Sequence, residues 1–79
     1  MKYYIIRLSK DNFFNEYGFI QQHYDELRVL HYRTVRISKA TIFKSRTDAQ
    51  NIIDAKPHYD AFWTNTKVLN ENEVVAYLL

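Results

Sequence analysis

A boundary from a strand into a helix constrains the fold more than any other feature of this 79-residue sequence. Ser45 stands three residues before Asp48, an aspartate version of the capping box that begins helices. Apolar residues then recur at helical spacing, and Pro57 stops the helix because it lacks an N–H and disfavours helical geometry at the preceding residue. The sequence therefore predicts a helix over residues 46–55, entered from a β-rich segment at residues 41–43.

Three further stretches have the composition of strands. Residues 2–9 are aromatic and β-branched, with apolar side chains at odd and even positions alike, which predicts a strand that is central in the sheet or covered on both faces. Residues 33–43 alternate β-branched with polar side chains, which predicts a second strand. Residues 74–79 are apolar on both faces, which favours a buried strand, with a short helix capped by Asn70 or Asn72 as the alternative.

The stretch before the second strand has a mixed pattern. Residues 15–18 predict a tight turn in which Gly18, the only glycine, supplies a positive φ. Apolar residues recur at helical spacing over residues 19–32, which favours a helix, although residues 29–32 also suit the start of a strand. The combined pattern predicts one α+β domain spanning residues 1–79, with a small three- to four-stranded, mainly antiparallel sheet and one or two helices packed on one face.

The residue counts exclude several chemistries. The absence of cysteine excludes disulfides, thiolate metal sites and cysteine nucleophiles, and a single glycine excludes a Gly-rich phosphate loop. The three histidines, His23, His31 and His58, lack metal-ligand spacing to a third ligand, and no nucleophile stands beside the paired carboxylates. We therefore expect a non-enzymatic protein with no catalytic residue, metal or cofactor, and keep a metal or acid/base role of the histidines as the minor alternative.

The apolar segments are short. The longest, residues 74–79, falls far below the roughly 20 residues of a membrane span. The N-terminal apolar stretch contains Arg7 and lacks a small-residue cleavage site, so it does not have the pattern of a signal peptide. We expect no membrane association and a cytoplasmic location.

The charge of the chain is strongly polarised. Lys and Arg number 11 against 9 Asp and Glu, yet residues 28–46 contain six basic residues and no acid. Such a stretch suits three roles: a solvated strand face that guards a sheet edge, an interface with an acidic protein, or contact with a phosphate backbone. Arg36, flanked by Thr34 and Ser38 on its side of the predicted strand, is the strongest single candidate for a functional basic residue.

Aromatic residues make up 16% of the chain, more than a core of this size holds. Some of them should remain accessible beside the basic stretch, where they would suit an interface with a partner protein or within a homodimer. The predicted partner-binding residues are Arg28, Tyr32, Arg33, Arg36, Lys39, Phe13, Phe14 and Tyr17.

Within residues 39–53, Phe43-Lys44-Ser45 closes a strand and Asp48-Ala49 begins a helix, after an N-terminal strand over residues 3–8. This arrangement resembles that of small proteins encoded by phages and prophages of Gram-positive bacteria. The resemblance implies a protein that binds and blocks or redirects a host machine, as anti-CRISPR and other anti-defence inhibitors do, and it implies no catalytic residue. We therefore expect a host protein or nucleoprotein as the partner in the host cytoplasm, with sequence-tolerant nucleic-acid binding as the alternative.

Overall fold

The computed structural model describes residues 1–9, 11 and 13–78. It shows a four-stranded antiparallel sheet with two α-helices, which confirms the predicted α+β fold class. In chain order the elements are β1 (Tyr3–Arg7), β2 (Phe19–Tyr24), β3 (Leu30–Val35), α1 (Arg46–Ala55), β4 (Thr66–Asn70) and α2 (Glu71–Leu78), with 3₁₀ turns at Ile37–Lys39 and Asp60–Trp63. The strands lie in the order β3-β2-β1-β4, so β3 and β4 are the edges of the sheet.

The pairing between the two central strands of the sheet, β1 and β2, is interrupted. β1 pairs with β4 along its whole length but with β2 at a single residue pair. Beyond that pair, residues 41–43 lie between the two strands. Thr41 N donates to the Ile20 carbonyl oxygen of β2 at 3.2 Å, and Phe43 exchanges two backbone hydrogen bonds with Tyr3 of β1, at 2.9 and 3.1 Å. This short segment therefore joins the β2–β3 hairpin to the rest of the sheet.

Apolar clusters cover both faces of the sheet, because neighbouring residues of a strand point to opposite sides. One cluster contains Ile5, Ile20 and Val68 of the strands, with Ala49 of α1 and Trp63. The other contains Tyr4, Ile6, Phe19 and Leu69, with Val74 of α2. The expectation that β1 is covered on both faces is confirmed. The two helices pack on opposite faces instead of sharing one, because α2 begins directly after β4 on the side of Leu69.

The predicted helix over residues 46–55 is confirmed as α1. The Ser45 side chain accepts a hydrogen bond from Asp48 N at 3.1 Å, as the capping pattern predicts. At the other end Lys56 is left-handed, with φ 47°, and its N–H donates to two carbonyl oxygens of the last turn. Pro57 follows, so the chain leaves the helix at the expected residue.

The C-terminal residues form a helix, so the preferred strand prediction is wrong and the alternative, a helix capped by Asn70, is confirmed. Glu73 N donates to Asn70 Oδ1 at 2.8 Å, and Asn70 N donates to Glu73 Oε1 at 2.9 Å, a complete capping box. The bond from Asn70 N and, after it, the bond from Arg46 lower the pKa of the Glu73 carboxyl. Val74 carries the apolar face of this helix into the core, and Leu79 lies outside the described residues.

Residues 19–32, predicted as a helix, form the hairpin of β2 and β3. The helical spacing misleads because it includes Tyr24 and Leu27, which are 64% and 84% exposed near the hairpin tip and bury nothing. The alternative, that the last residues of this stretch begin a strand, is confirmed. The strand predicted over residues 33–43 is too long, since β3 ends before the first 3₁₀ turn.

Gly18 is needed for space and not for a positive φ. The predicted turn is present, since Gly18 N donates to the Asn15 carbonyl oxygen at 2.8 Å and Tyr17 N donates to Asn15 Oδ1 at 2.9 Å. Gly18 itself has no positive φ, which corrects the expectation. A Cβ atom on it would lie only 2.4 Å from the Arg7 carbonyl oxygen and 3.0 Å from that of Asn15. β1 and the turn thus leave no room for a side chain.

Candidate functional site

The β2–β3 hairpin presents one polar face beyond the core. Its register pairs Gln21 with Arg33 and His23 with His31, on the same side of the strands as Phe19, because residues two apart share a face. Apolar packing on this side ends around Phe19, and the four polar side chains stay partly or fully accessible. The hairpin therefore carries its basic side chains on a surface that the helices leave open.

Hydrogen bonds extend this face to the first 3₁₀ turn. Arg33 Nε donates to Gln21 Oε1 at 2.5 Å, and Gln21 Nε2 donates to the Lys39 carbonyl oxygen at 2.8 Å. The side chain of Gln21 thus links an arginine of β3 to the turn that carries a lysine. We define the basic surface as Tyr17, Gln21, His23, His31, Arg33, Arg36 and Lys39.

Arg36 and Tyr17 form one end of the basic surface. Arg36 Nη2 donates a hydrogen bond to Tyr17 Oη, and the guanidinium carbon lies 4.6 Å from the centre of the Tyr17 ring. This hydrogen bond is the main reason that the pKa of Arg36 is raised, with a smaller contribution from the charge of Glu16. The pair therefore displays a permanent cation on an accessible aromatic ring, an arrangement that cation–π attraction stabilises.

Asp25 and His31 organise the other end. Asp25 Oδ1 accepts hydrogen bonds from Leu27 N at 2.8 Å and Val29 N at 3.0 Å, while Asp25 Oδ2 pairs with His31 Nε2 at 2.8 Å. The His31 bond first, and the Val29 bond after it, lower the pKa of the Asp25 carboxyl. One carboxylate thus fixes the hairpin turn and the orientation of the His31 ring.

The histidines do not form a metal centre in the part of the chain that the structure describes. The rings of His23 and His31 lie 6.1 Å apart, whereas His58 packs at 4.7 Å against Tyr59 in the connection after α1. No three His, Cys, Asp or Glu side chains among residues 1–9, 11 and 13–78 are grouped so that they would hold a metal ion.

The structure separates the predicted binding residues into two groups. Arg28, in the hairpin turn with φ 61°, and Phe13, 69% exposed, are accessible, and Arg33, Arg36, Lys39 and Tyr17 belong to the basic surface. Tyr32 and Phe14 are packed against other aromatic rings. Tyr32 is 8% exposed and meets the Trp63 ring edge-on at 5.1 Å, on the opposite face of β3. Phe14 stacks on Tyr77 at 5.4 Å, so these two rings serve the fold.

Arg46 shows what a structural arginine looks like in this fold. Its Nη2 donates to Glu73 Oε1 at 2.7 Å, and its Nη1 donates to the Val68 carbonyl oxygen at 3.1 Å. It therefore ties α1 to β4 and α2, and its charge is neutralised. The six basic residues of the stretch 28–46 therefore do not form one surface in the folded protein.

Sequence reasoning missed the glutamine and histidines of the basic surface and the apolar hairpin tip. The tip exposes Tyr24, Leu27 and Val29. Residues 19–24, Phe-Ile-Gln-Gln-His-Tyr, do not alternate polar with apolar side chains, so no local pattern indicates this strand. Once the hairpin register is known, Gln21 and His23 fall opposite Arg33 and His31.

No protein-family model, curated protein or solved structure matches this chain. None of the helices in the described part of the chain has the length and apolar character needed to cross a membrane. The basic surface and its surroundings are therefore the features of the molecule that bear on its function.

Proposed function

We propose that this protein is a non-enzymatic binding module that attaches to a host protein or nucleoprotein through the basic surface and modulates it in the cytoplasm. In this proposal it is an accessory protein of a phage or mobile element, of the inhibitor or anti-defence type. The observation that carries the proposal is the pairing of Arg33 and Arg36 with neutral side chains.

Arg33 and Arg36 keep their full charge available. Arg33 is held by an amide and Arg36 by a phenol. Among the residues that the structure describes, neither arginine forms an ion pair, whereas Arg46 does. An arginine that is oriented but not neutralised loses little side-chain entropy on binding and offers its charge to an acidic partner.

Apolar groups beside these cations supply the remaining contact. Arginine and tyrosine are the residue types enriched in interface hot spots, and Tyr17 is already stacked with Arg36. At the far end of the hairpin, the exposed tip adds Leu27 and Val29. A surface with two arginines beside apolar groups suits a protein partner whose facing patch is acidic.

Capture of the partner from host lysate tests the proposal. The wild-type protein should recover a stoichiometric partner that the Arg33→Glu/Arg36→Glu variant does not recover. The matched control is Lys44→Glu/Lys56→Glu, which changes the net charge equally at exposed lysines outside the basic surface. Equal capture by wild type and the arginine variant, or equal loss in both variants, would contradict the proposal.

Sequence-tolerant nucleic-acid binding is the second candidate, because uncompensated arginines beside an accessible Tyr17 ring also suit phosphates and stacked bases. It ranks lower because acidic groups stand at both ends of the surface, Glu16 near Arg36 and Asp25 in the hairpin turn. A phosphate backbone continues past the contact site and would meet both acids, whereas an acidic patch on a protein can end between them. If the candidate is right, the logarithm of affinity falls with the logarithm of salt concentration, by roughly 0.7 to 0.9 per phosphate contact. A flat salt dependence in a fluorescence-anisotropy titration would exclude it.

A further inference from the structure

The outer edge of β3 carries a row of free backbone groups. Asp25 N donates to the Val29 carbonyl oxygen, and antiparallel pairing alternates from there. The odd-numbered residues of β3 therefore bond to β2, while the N–H and C=O groups of Leu30, Tyr32 and Thr34 point outward. In the described part of the chain, no strand lies on that side of β3.

The two edges of the sheet differ in protection. At the β4 edge, the side chain of Arg46 donates to the Val68 carbonyl oxygen and so occupies one backbone group of that strand. β3 pairs with β2 over six consecutive residues in a regular register, and it contains no proline. Natural sheet edges are usually shortened, bulged, interrupted by proline, covered or guarded by charged side chains. Of these features the described β3 strand has only charge, through Arg33, and a positive charge repels a basic strand but attracts an acidic one.

The side chains along this edge specify what that strand would contain. Residues of an added strand would alternate between the two faces of the sheet. On one face they would meet His31 and Arg33, and on the other they would meet Leu30 and Thr34, beside the covered ring of Tyr32. The complementary segment therefore alternates acidic with apolar residues.

We propose that the β3 edge binds an extended segment of a partner protein, with alternating acidic and apolar side chains, as a fifth strand of the sheet. This inference rests on the proposed function for its basic surface and names the partner's chemistry. Main-chain hydrogen bonds supply affinity and the alternate side chains supply specificity, as in other cases of strand addition.

Charge argues against a second copy of this chain as the occupant. Two copies of β3 can pair in two registers if a two-fold axis perpendicular to the sheet relates them. Each register matches five residues of one copy with five of the other. The register centred on Arg33 sets two arginines against each other, and like charges directly opposite destabilise a strand pair. The register centred on Tyr32 sets Arg33 against the His31 ring of the second copy, which already pairs with Asp25. An acidic segment offers Arg33 an unpaired carboxylate in either register.

Amide exchange on the full-length, ¹⁵N-labelled protein tests the inference. The probe is a blocked peptide of four Glu-Val repeats, with four Lys-Val repeats as the charge-reversed control. Binding of the acidic peptide should slow exchange of the Tyr32 and Thr34 amides at least tenfold. The Arg33 amide, already bonded to β2, should change little, and the basic peptide should have no effect.

A variant of Thr34 separates backbone pairing from charge attraction. Thr34→Pro removes an outward N–H and keeps the bonds to β2. An edge strand tolerates proline at such a position, and the variant should bind the acidic peptide about tenfold more weakly. Thr34→Val keeps the N–H and should bind like wild type. A peptide methylated at alternate backbone nitrogens keeps every side chain but should also bind at least tenfold more weakly, which covers the case that Thr34→Pro does not fold.

Three outcomes would overturn the edge pairing. In the first, the acidic peptide binds while the Tyr32 and Thr34 amides stay unprotected. If Arg33→Glu still abolishes that binding, the peptide binds the basic surface and does not pair with the β3 edge. In the second, the peptide does not bind at millimolar concentration, and the lysate capture then decides the proposed function separately. In the third, both amides are protected without peptide and sedimentation shows a dimer, which would make a second copy the occupant.

Discussion

Gly18→Ala tests how closely the turn before β2 is packed against β1. The new Cβ atom would lie 2.4 Å from the Arg7 carbonyl oxygen, whereas ordinary contact begins near 3.4 Å, so β1 must retreat by about 1 Å. The second neighbour, the Asn15 carbonyl oxygen at 3.0 Å, is also closer than ordinary contact. Both obstacles are backbone atoms, so no side chain can rotate away to relieve them.

The expected loss of stability follows from two contributions. Overpacking of a tight site costs about 1–3 kcal/mol, and straining the 2.8 Å hydrogen bond from Arg7 N to the Gly18 carbonyl oxygen adds about 1 kcal/mol. The sum, about 2–4 kcal/mol, is a large share of the roughly 4–12 kcal/mol expected for a domain of this length. It corresponds to a fall in melting temperature of about 8–30 °C.

Thermal unfolding followed by circular dichroism measures this effect. Glu16→Ala, in the same turn but exposed, is the matched control and should leave the melting temperature nearly unchanged. A melting temperature of Gly18→Ala within about 2 °C of wild type would refute the reasoning, because the site would then have room that the described geometry denies.

Three further substitutions or titrations probe individual contacts. Trp63→Phe removes the 2.6 Å hydrogen bond from Nε1 to the Pro57 carbonyl oxygen and leaves a cavity where the larger buried ring stood, and should lower the free energy of unfolding in urea by about 2–3 kcal/mol. Asn70→Ala removes the cap of α2 and should cost about 0.5–2 kcal/mol in the same assay, with loss of helical signal. Folding lowers the pKa of the Asp25 carboxyl, so the ionised carboxylate stabilises the folded state. This stabilisation is complete above the unfolded-state pKa and is lost as pH falls through the folded-state pKa. The hairpin-turn amide signals should therefore change below about pH 4 in wild type, and Asp25→Asn should abolish that pH dependence.

Local chemistry made part of the fold predictable from the sequence. Ser45 and Asp48 cap α1 through bonds between residues three apart, and Pro57 acts on the residue beside it, so both ends of the helix are visible in the sequence. The C-terminal helix shows the limit of this reasoning. The Asn70 cap was recognisable, but six consecutive apolar residues concealed that Val74 would be the deeply buried contact of α2.

The hairpin depended on tertiary context that no local pattern contains. Tyr24 and Leu27 completed a helical spacing, yet they are exposed near a tip whose turn is fixed by the Asp25 carboxylate. The six basic residues were likewise one block in sequence but not in space. Arg46 belongs to a structural ion pair, while Arg33 and Arg36 acquire neutral partners from 12 and 19 residues away along the chain. Such pairings depend on strand register, which composition and charge do not specify.

The claim that Arg33 and Arg36 form the binding centre is tested most directly by the dissociation constant of the captured partner. Hot-spot arginines contribute at least about 2 kcal/mol each, so Arg33→Glu/Arg36→Glu should weaken binding about a thousandfold. Lys44→Glu/Lys56→Glu, with the same net charge, should change it less than about threefold. A dissociation constant for the arginine variant equal to that of wild type, with its fold intact by circular dichroism, would contradict the account.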